Sequence, residues 1–205
     1  MIERQNGYAL APNGLLIWLA ATIMFSLALI ADLLAAAPIS TETWLLWARY
    51  TARLSFFLFL AAYLAGPLYD LAPAPITLWL RQHRRNAGIS FGLAHTIHLG
   101  ALIAFFIISG EPVDAATVIV GGGAYLAMFA MLATSNDAAI RRMGQTNWRR
   151  LHKFGAHYLA FVFVFTYTSS LAGADPKPLI LIGLIWAAIL LRFGQMMGNK
   201  ARSAA

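Results

Sequence analysis

Four histidines stand where histidine is costly. His95 and His98 lie three apart in a stretch with no charged residue from Asn86 to Gly110. His152 and His157 open a second long apolar run. An imidazole in such a setting loses its hydration, a cost that a hydrogen bond or a metal must offset. Neutral imidazole is a common metal ligand, and haem iron accepts it axially. A haem between two helices needs one histidine from each, at similar depth. The arginine pairs Arg84–Arg85 and Arg149–Arg150 serve as a common level. Counted from them, His95 and His157 differ in depth by roughly 4–5 Å, His98 and His157 by about 9 Å, and His95 and His152 by about 12 Å. Depth therefore favours His95 with His157. His95 and His98 are separated by about 4.5 Å along one helix, too little for two stacked macrocycles, so one haem is favoured over two. Spare histidines would then bond propionates or sit beside a quinol. The competing reading is structural: a lone membrane histidine often bonds Ser or Thr on a neighbouring helix. Four of them on two segments weigh toward function, since polar groups at that depth are functional candidates by default.

Arg53 belongs to the same set. A guanidinium inside an apolar run needs a partner. A propionate or quinol contact suits its forked donors, and Asp32 is the structural alternative.

The elements that must position these residues are read from apolar runs. The chain has 205 residues, of which 60% are hydrophobic and 11% charged, against about 25% charged in soluble domains. Crossing the hydrocarbon core takes about 20 apolar residues as a helix. Six runs meet or approach this, at about 14–37, 44–66, 87–109, 115–135, 151–172 and 178–195. The expected fold is an all-α integral membrane protein, a six-helix transmembrane bundle forming one domain over 1–205. Pro38, Pro67, Pro73, Pro75, Pro112, Pro176 and Pro178 are expected between runs or at their ends, where proline does least harm. Arg81, Arg84 and Arg85 fill one loop, Arg141, Arg142, Arg149, Arg150 and Lys153 another, and Arg192, Lys200 and Arg202 the C-terminus. The alternate loops are poor in Lys and Arg. By the positive-inside rule both termini are cytoplasmic.

Other features are excluded or weak. The absence of cysteine excludes disulfides, iron–sulfur clusters, Cys-ligated zinc and covalent CxxCH haem. The net charge of +7 comes without the basic–aromatic interleaving of nucleic-acid binding. Gly121–Gly123 lack a GxxxxGK context and suit close helix packing or room for a macrocycle. The tryptophans lie mostly near run ends, as an aromatic belt.

Three fragments carry a family resemblance. TARLSFFLFLAAYLAGPL (51–68), RRNAGISFGLAHTIHL (84–99) and TSNDAAIRRMGQTNWRRLHKF (134–154) resemble the ferric reductase-like transmembrane domain family. Within it, the nearest likeness is to haem-binding subunits of bacterial periplasmic methionine sulfoxide reductase systems. The resemblance runs from about Arg49 to the end of the sixth run. It implies a multi-pass inner-membrane protein whose haem ligands lie on the third and fifth helices. Arg53 falls on the family's arginine, and His98 and His152 on its histidines. The family's second histidine in the fifth helix falls on Phe165, which cannot ligate iron. His157 is the expected substitute, paired with His98 or His95, with His152 at the rim or on a second haem. His83 is expected to be a loop histidine.

The functional expectation is a b-type haem protein passing electrons across the membrane. No GxGxxG follows a strand, so NAD(P)H oxidation would need a separate flavoprotein or soluble reductase. The donor is that partner or a quinol, and the acceptor is extracytoplasmic. The alternative is a small transporter or proton channel using the histidines as relays.

Overall fold

The computed structural model describes residues 40–169 and 177–204, together with positions 22, 23, 26 and 30. Every described element is a helix. The first run, 14–37, lies outside the described residues except for those four positions, which are helical.

Helix α1 spans Thr41–Leu71. The Ser40 side chain caps it by accepting from the Thr43 N–H at 3.3 Å, and Glu42 complements the positive end of the helix dipole. It was expected to end near residue 66, at Pro67. Instead it runs through Pro67, which is buried inside it. Proline has no N–H to give the carbonyl four residues back, which is Tyr63. Arg192 Nη1 donates to that carbonyl instead. A side chain from the far end of the sequence thus makes the proline tolerable.

Helix α2, Pro75–Gln82, starts on a proline at its first turn, where the missing N–H costs nothing. It was not anticipated. Helix α3, Arg84–Ser109, follows almost at once and ends on Gly110 at φ 68°, the left-handed conformation that glycine adopts without a Cβ clash. Asp114 then accepts from the Thr117 N–H and hydroxyl. These bonds hold its carboxyl below the usual carboxylate range. The chain enters helix α4, Gly122–Ala133, through a π turn at Thr117–Gly121. Asn136 caps the short helix α5, Asp137–Met143, which is bent 101° from α4. Helix α6 spans Gln145–Ser169, and helix α7 spans Lys177–Ala204.

Three described helices are long and apolar enough to cross a membrane: Thr41–Leu71, Arg84–Ser109 and the Leu179–Gly198 part of α7. The bent α4–α5 pair makes a fourth if it counts as one span. Helix α6 is not among them: even its most apolar part is diluted by His152, Lys153, His157 and its Tyr and Thr residues.

Helices α1 and α3 pack antiparallel along their length. The register is fixed by matched pairs: Thr51 with His98, Ser55 with His95, and Phe59 with Phe91. Gly88 of α3 comes closest to Ala62 of α1. The core joins α1 (Phe56, Phe59, Tyr63), α3 (Phe91), α4 (Met128), α6 (Leu159, Phe163) and α7 (Ile185).

Candidate functional site

Helix α1 places a hydroxyl opposite three of the four histidines. Ser55 Oγ lies 2.8 Å from His95 Nδ1, Tyr63 OH 3.0 Å from His157 Nδ1, and Thr51 Oγ1 3.4 Å from His98 Nδ1. Thr51 and Ser55 fall at i and i+4 on the face of α1 that meets α3, whereas Tyr63, at i+12, lies about 120° round from Thr51 and meets α6. Each bond uses Nδ1, and the His98 ring also hydrogen-bonds the Ala48 backbone. Ser55 and Thr51 donate their own hydroxyl protons to carbonyls of α1, so they accept from Nδ1–H of His95 and His98. The Tyr63 phenol can donate or accept, so it orients the His157 ring without setting its tautomer. His152 is held the other way round. Its Nε2 is 3.0 Å from Thr134 Oγ1, and its ring lies tilted against Trp148 at 4.3 Å.

The surroundings of the histidines differ. His95 is buried. Its ring touches Tyr125 at 5.0 Å, His98 at 5.0 Å, Phe91 at 5.3 Å and Phe163 at 5.9 Å. Buried nearby are Ser90 Oγ, Tyr125 OH and Tyr167 OH, none with a hydrogen-bond partner among the described residues. His157 instead borders two open volumes. One, of about 280 Å3, lies between α6 and α7 and is walled by Ala160, Phe161, Val164, Trp186, Ile189 and Phe193. The other, of about 480 Å3, carries the charged side chains Arg81, Arg84, Lys153 and Arg192. His83 lies between α2 and α3, stacked on Trp79 at 4.6 Å, with its Nδ1 on the Trp79 carbonyl.

The expected pairing of His95 with His157 by depth is not what the bundle builds. Their partners on α1, Ser55 and Tyr63, are eight residues apart, which is about 12 Å along the axis. The arginine pairs were a poor common level: Arg84–Arg85 open α3, whereas α6 already starts at Gln145. The α6 residue that meets His95 is Phe163. Phe165, on the family's ligand position, is 42% exposed and touches Phe161. It points away from the buried histidines. Arg53 lies over the Tyr50 ring at 5.6 Å, near the level of His95 and far from His157. Its structural alternative, Asp32, lies outside the described residues.

The three hydroxyl partners were missed in the sequence. Their signal was the polar spacing Thr51, Ser55 and Tyr63 within an otherwise apolar run. No cluster of three or more metal-ligating side chains occurs among the described residues. Comparison with family models, curated proteins and solved structures gave no match.

The donor set suits a haem better than a bare metal ion. A bare ion needs several converging ligands, whereas haem supplies four of its own and asks the protein for one or two. His157 offers a ring oriented through Nδ1 by Tyr63 and an apolar groove beside it. A two-histidine clamp across α3 and α6 at one depth is not present.

Proposed function

We propose that the chain is a b-type haem protein of the membrane, an electron-transfer subunit resembling the ferric reductase-like transmembrane family. The observation that carries this reading is the α1 ladder, in which Thr51, Ser55 and Tyr63 each orient a histidine through Nδ1. His157 would hold the iron, and the groove between α6 and α7 would receive one edge of the macrocycle. Bound there, haem contributes reversible one-electron exchange. The chain's own part is to orient the imidazole through Tyr63, exclude water with Phe161, Trp186 and Phe193, and keep the charged end of the bundle apart from the apolar groove.

The six-helix arrangement with both termini cytoplasmic belongs to this proposal. So do the bacterial inner membrane and electron passage from a quinol or a flavoprotein to an extracytoplasmic acceptor. His95, His98 and Arg53 form a separate level nearer the opposite face. His152 is assigned a structural role because Thr134 occupies its Nε2.

One observation favours a second reading. The rings of His95 and His98 lie 5.0 Å apart, each on an α1 hydroxyl, as a proton relay would need. That reading expects pH-dependent proton flux in liposomes from a colourless protein.

The test is a spectrum of protein purified from haem-replete cells. The haem reading expects a Soret band and a reducible α band at near-stoichiometric haem. A colourless preparation would sink it.

A further inference from the structure

The arginine-lined cleft beside His157 holds more positive charge than the protein itself neutralises. Its wall carries Arg81, Arg84, Lys153 and Arg192, and Asp70 is its one acidic side chain. Asp70 is already engaged, by Arg81 at 3.2 Å and by the Gln195 amide. Arg84, Lys153 and Arg192 therefore have no carboxylate partner among the described residues.

Two of these cations are drawn together by the backbone. Arg84 Nε donates to the Ala62 carbonyl at 3.0 Å, and Arg192 to the adjacent Tyr63 carbonyl, the one that Pro67 leaves free. Arg192 also lies over the Tyr63 ring at 4.4 Å. A guanidinium has five N–H donors, and these carbonyl bonds leave several on each. Three like charges from α3, α6 and α7 around one cleft repel each other unless an anion sits among them. An anion with several oxygens can take charge-assisted bonds from all three.

From this we infer that the cleft is a phosphate-binding site, occupied by the phosphate of an anionic phospholipid headgroup or of a small soluble phosphate compound. A tetrahedral phosphate offers oxygens in more directions than a carboxylate, which suits donors from three helices. The cleft sits at the arginine-rich end of the bundle, and basic pockets between transmembrane helices on that side recognise anionic headgroups. Leu78 and Met196 add apolar wall beside the cations.

The experiment uses the full chain, purified haem-free in neutral detergent, and follows unfolding by tryptophan fluorescence. Phosphatidylglycerol, phosphatidylcholine and inorganic phosphate are titrated separately. Phosphatidylglycerol is expected to raise the midpoint and phosphatidylcholine not to. A further rise with inorganic phosphate identifies a site open to soluble compounds, and its absence identifies a headgroup site. The R84Q/R192Q double variant is expected to lose the shift. Because Arg192 also caps a backbone carbonyl, Lys153→Gln, an exposed side chain, is the second variant. Its affinity for phosphatidylglycerol is expected to fall about tenfold, the effect of one charge-assisted bond, while Arg141→Gln outside the cleft leaves it unchanged. Equal shifts from both lipids, no shift from phosphatidylglycerol or phosphate, or full binding by K153Q would overturn the proposal. So would binding that disappears once haem is loaded, which would assign the cleft to the cofactor's own carboxylates. The assay needs no chromophore, so its failure is distinct from failure of the haem reading.

Discussion

Tyr63 makes three contacts at once. Its hydroxyl holds His157 Nδ1, its ring lies beneath Arg192, and its carbonyl takes the Arg192 N–H that Pro67 cannot supply. Removing only the hydroxyl separates these roles. Tyr63→Phe is expected to cost about 1 kcal/mol of stability as a lost hydrogen bond. Losing the outer partner of a ligating histidine is expected to cost about 10–100-fold in haem affinity. A haem titration reads the second effect, and unchanged affinity would remove Tyr63 from the site. Pro67→Ala restores an N–H opposite the Tyr63 carbonyl. In that background Arg192→Gln is expected to destabilise less than in the wild type, and a double-mutant cycle measures the difference. Strict additivity would mean that the arginine does not compensate for the proline.

Glycines fix how closely α4 and α6 approach. A Cβ at Gly155 would meet Met131 Sδ at 2.6 Å, and one at Gly123 the Tyr158 hydroxyl at 2.6 Å. Tyr158 in turn donates to the Val120 carbonyl within the π turn. Gly155→Ala is therefore expected to cost about 1 kcal/mol, the low end for overpacking, because the flexible Met131 side chain can shift. Gly100→Ala, with nothing within 4 Å, should be neutral or stabilise by up to about 1 kcal/mol. Thermal unfolding in detergent checks both, and equal effects would contradict the packing.

The helices themselves were legible in the sequence because long apolar runs leave the backbone no other way to satisfy its polar groups in lipid. Their ends were less so. Helix α1 overran its expected boundary because the donor replacing the proline N–H comes from α7, which no local pattern reveals. The second loop and the stretch after Ala133 hold helices α2 and α5, too short to stand out by apolar length. In helix α6, Phe163 and Tyr167 proved buried while Phe161 and Phe165 are exposed, a division that follows from helical spacing. The histidines were legible as a set, but their depths were not. Those depend on where each helix begins, and the α1 hydroxyls give the better ruler.

Across the molecule, charge and depth are arranged in levels. Arg84, Lys153 and Arg192 mark one end, His157 lies just beyond them, and His95 and His98 lie about two to three turns further along α1. If both termini face the cytoplasm, the α5–α6 arginines share that side and the α3–α4 loop lies opposite. The chain has no cysteine, so single cysteines can be introduced without background. Arg141→Cys is expected to react with an impermeant thiol reagent only from the cytoplasmic side, and Glu111→Cys only from the other. Labelling of both from one side would contradict the orientation.

The central claim is that His157 holds a haem iron. Its most direct test is the reduced-minus-oxidised absorption spectrum of the wild type, His157→Ala and His152→Ala, each purified from haem-replete cells. The account expects bands in the wild type and in His152→Ala, and none in His157→Ala. A colourless wild type, or a His157→Ala protein that keeps its full haem spectrum, would contradict it.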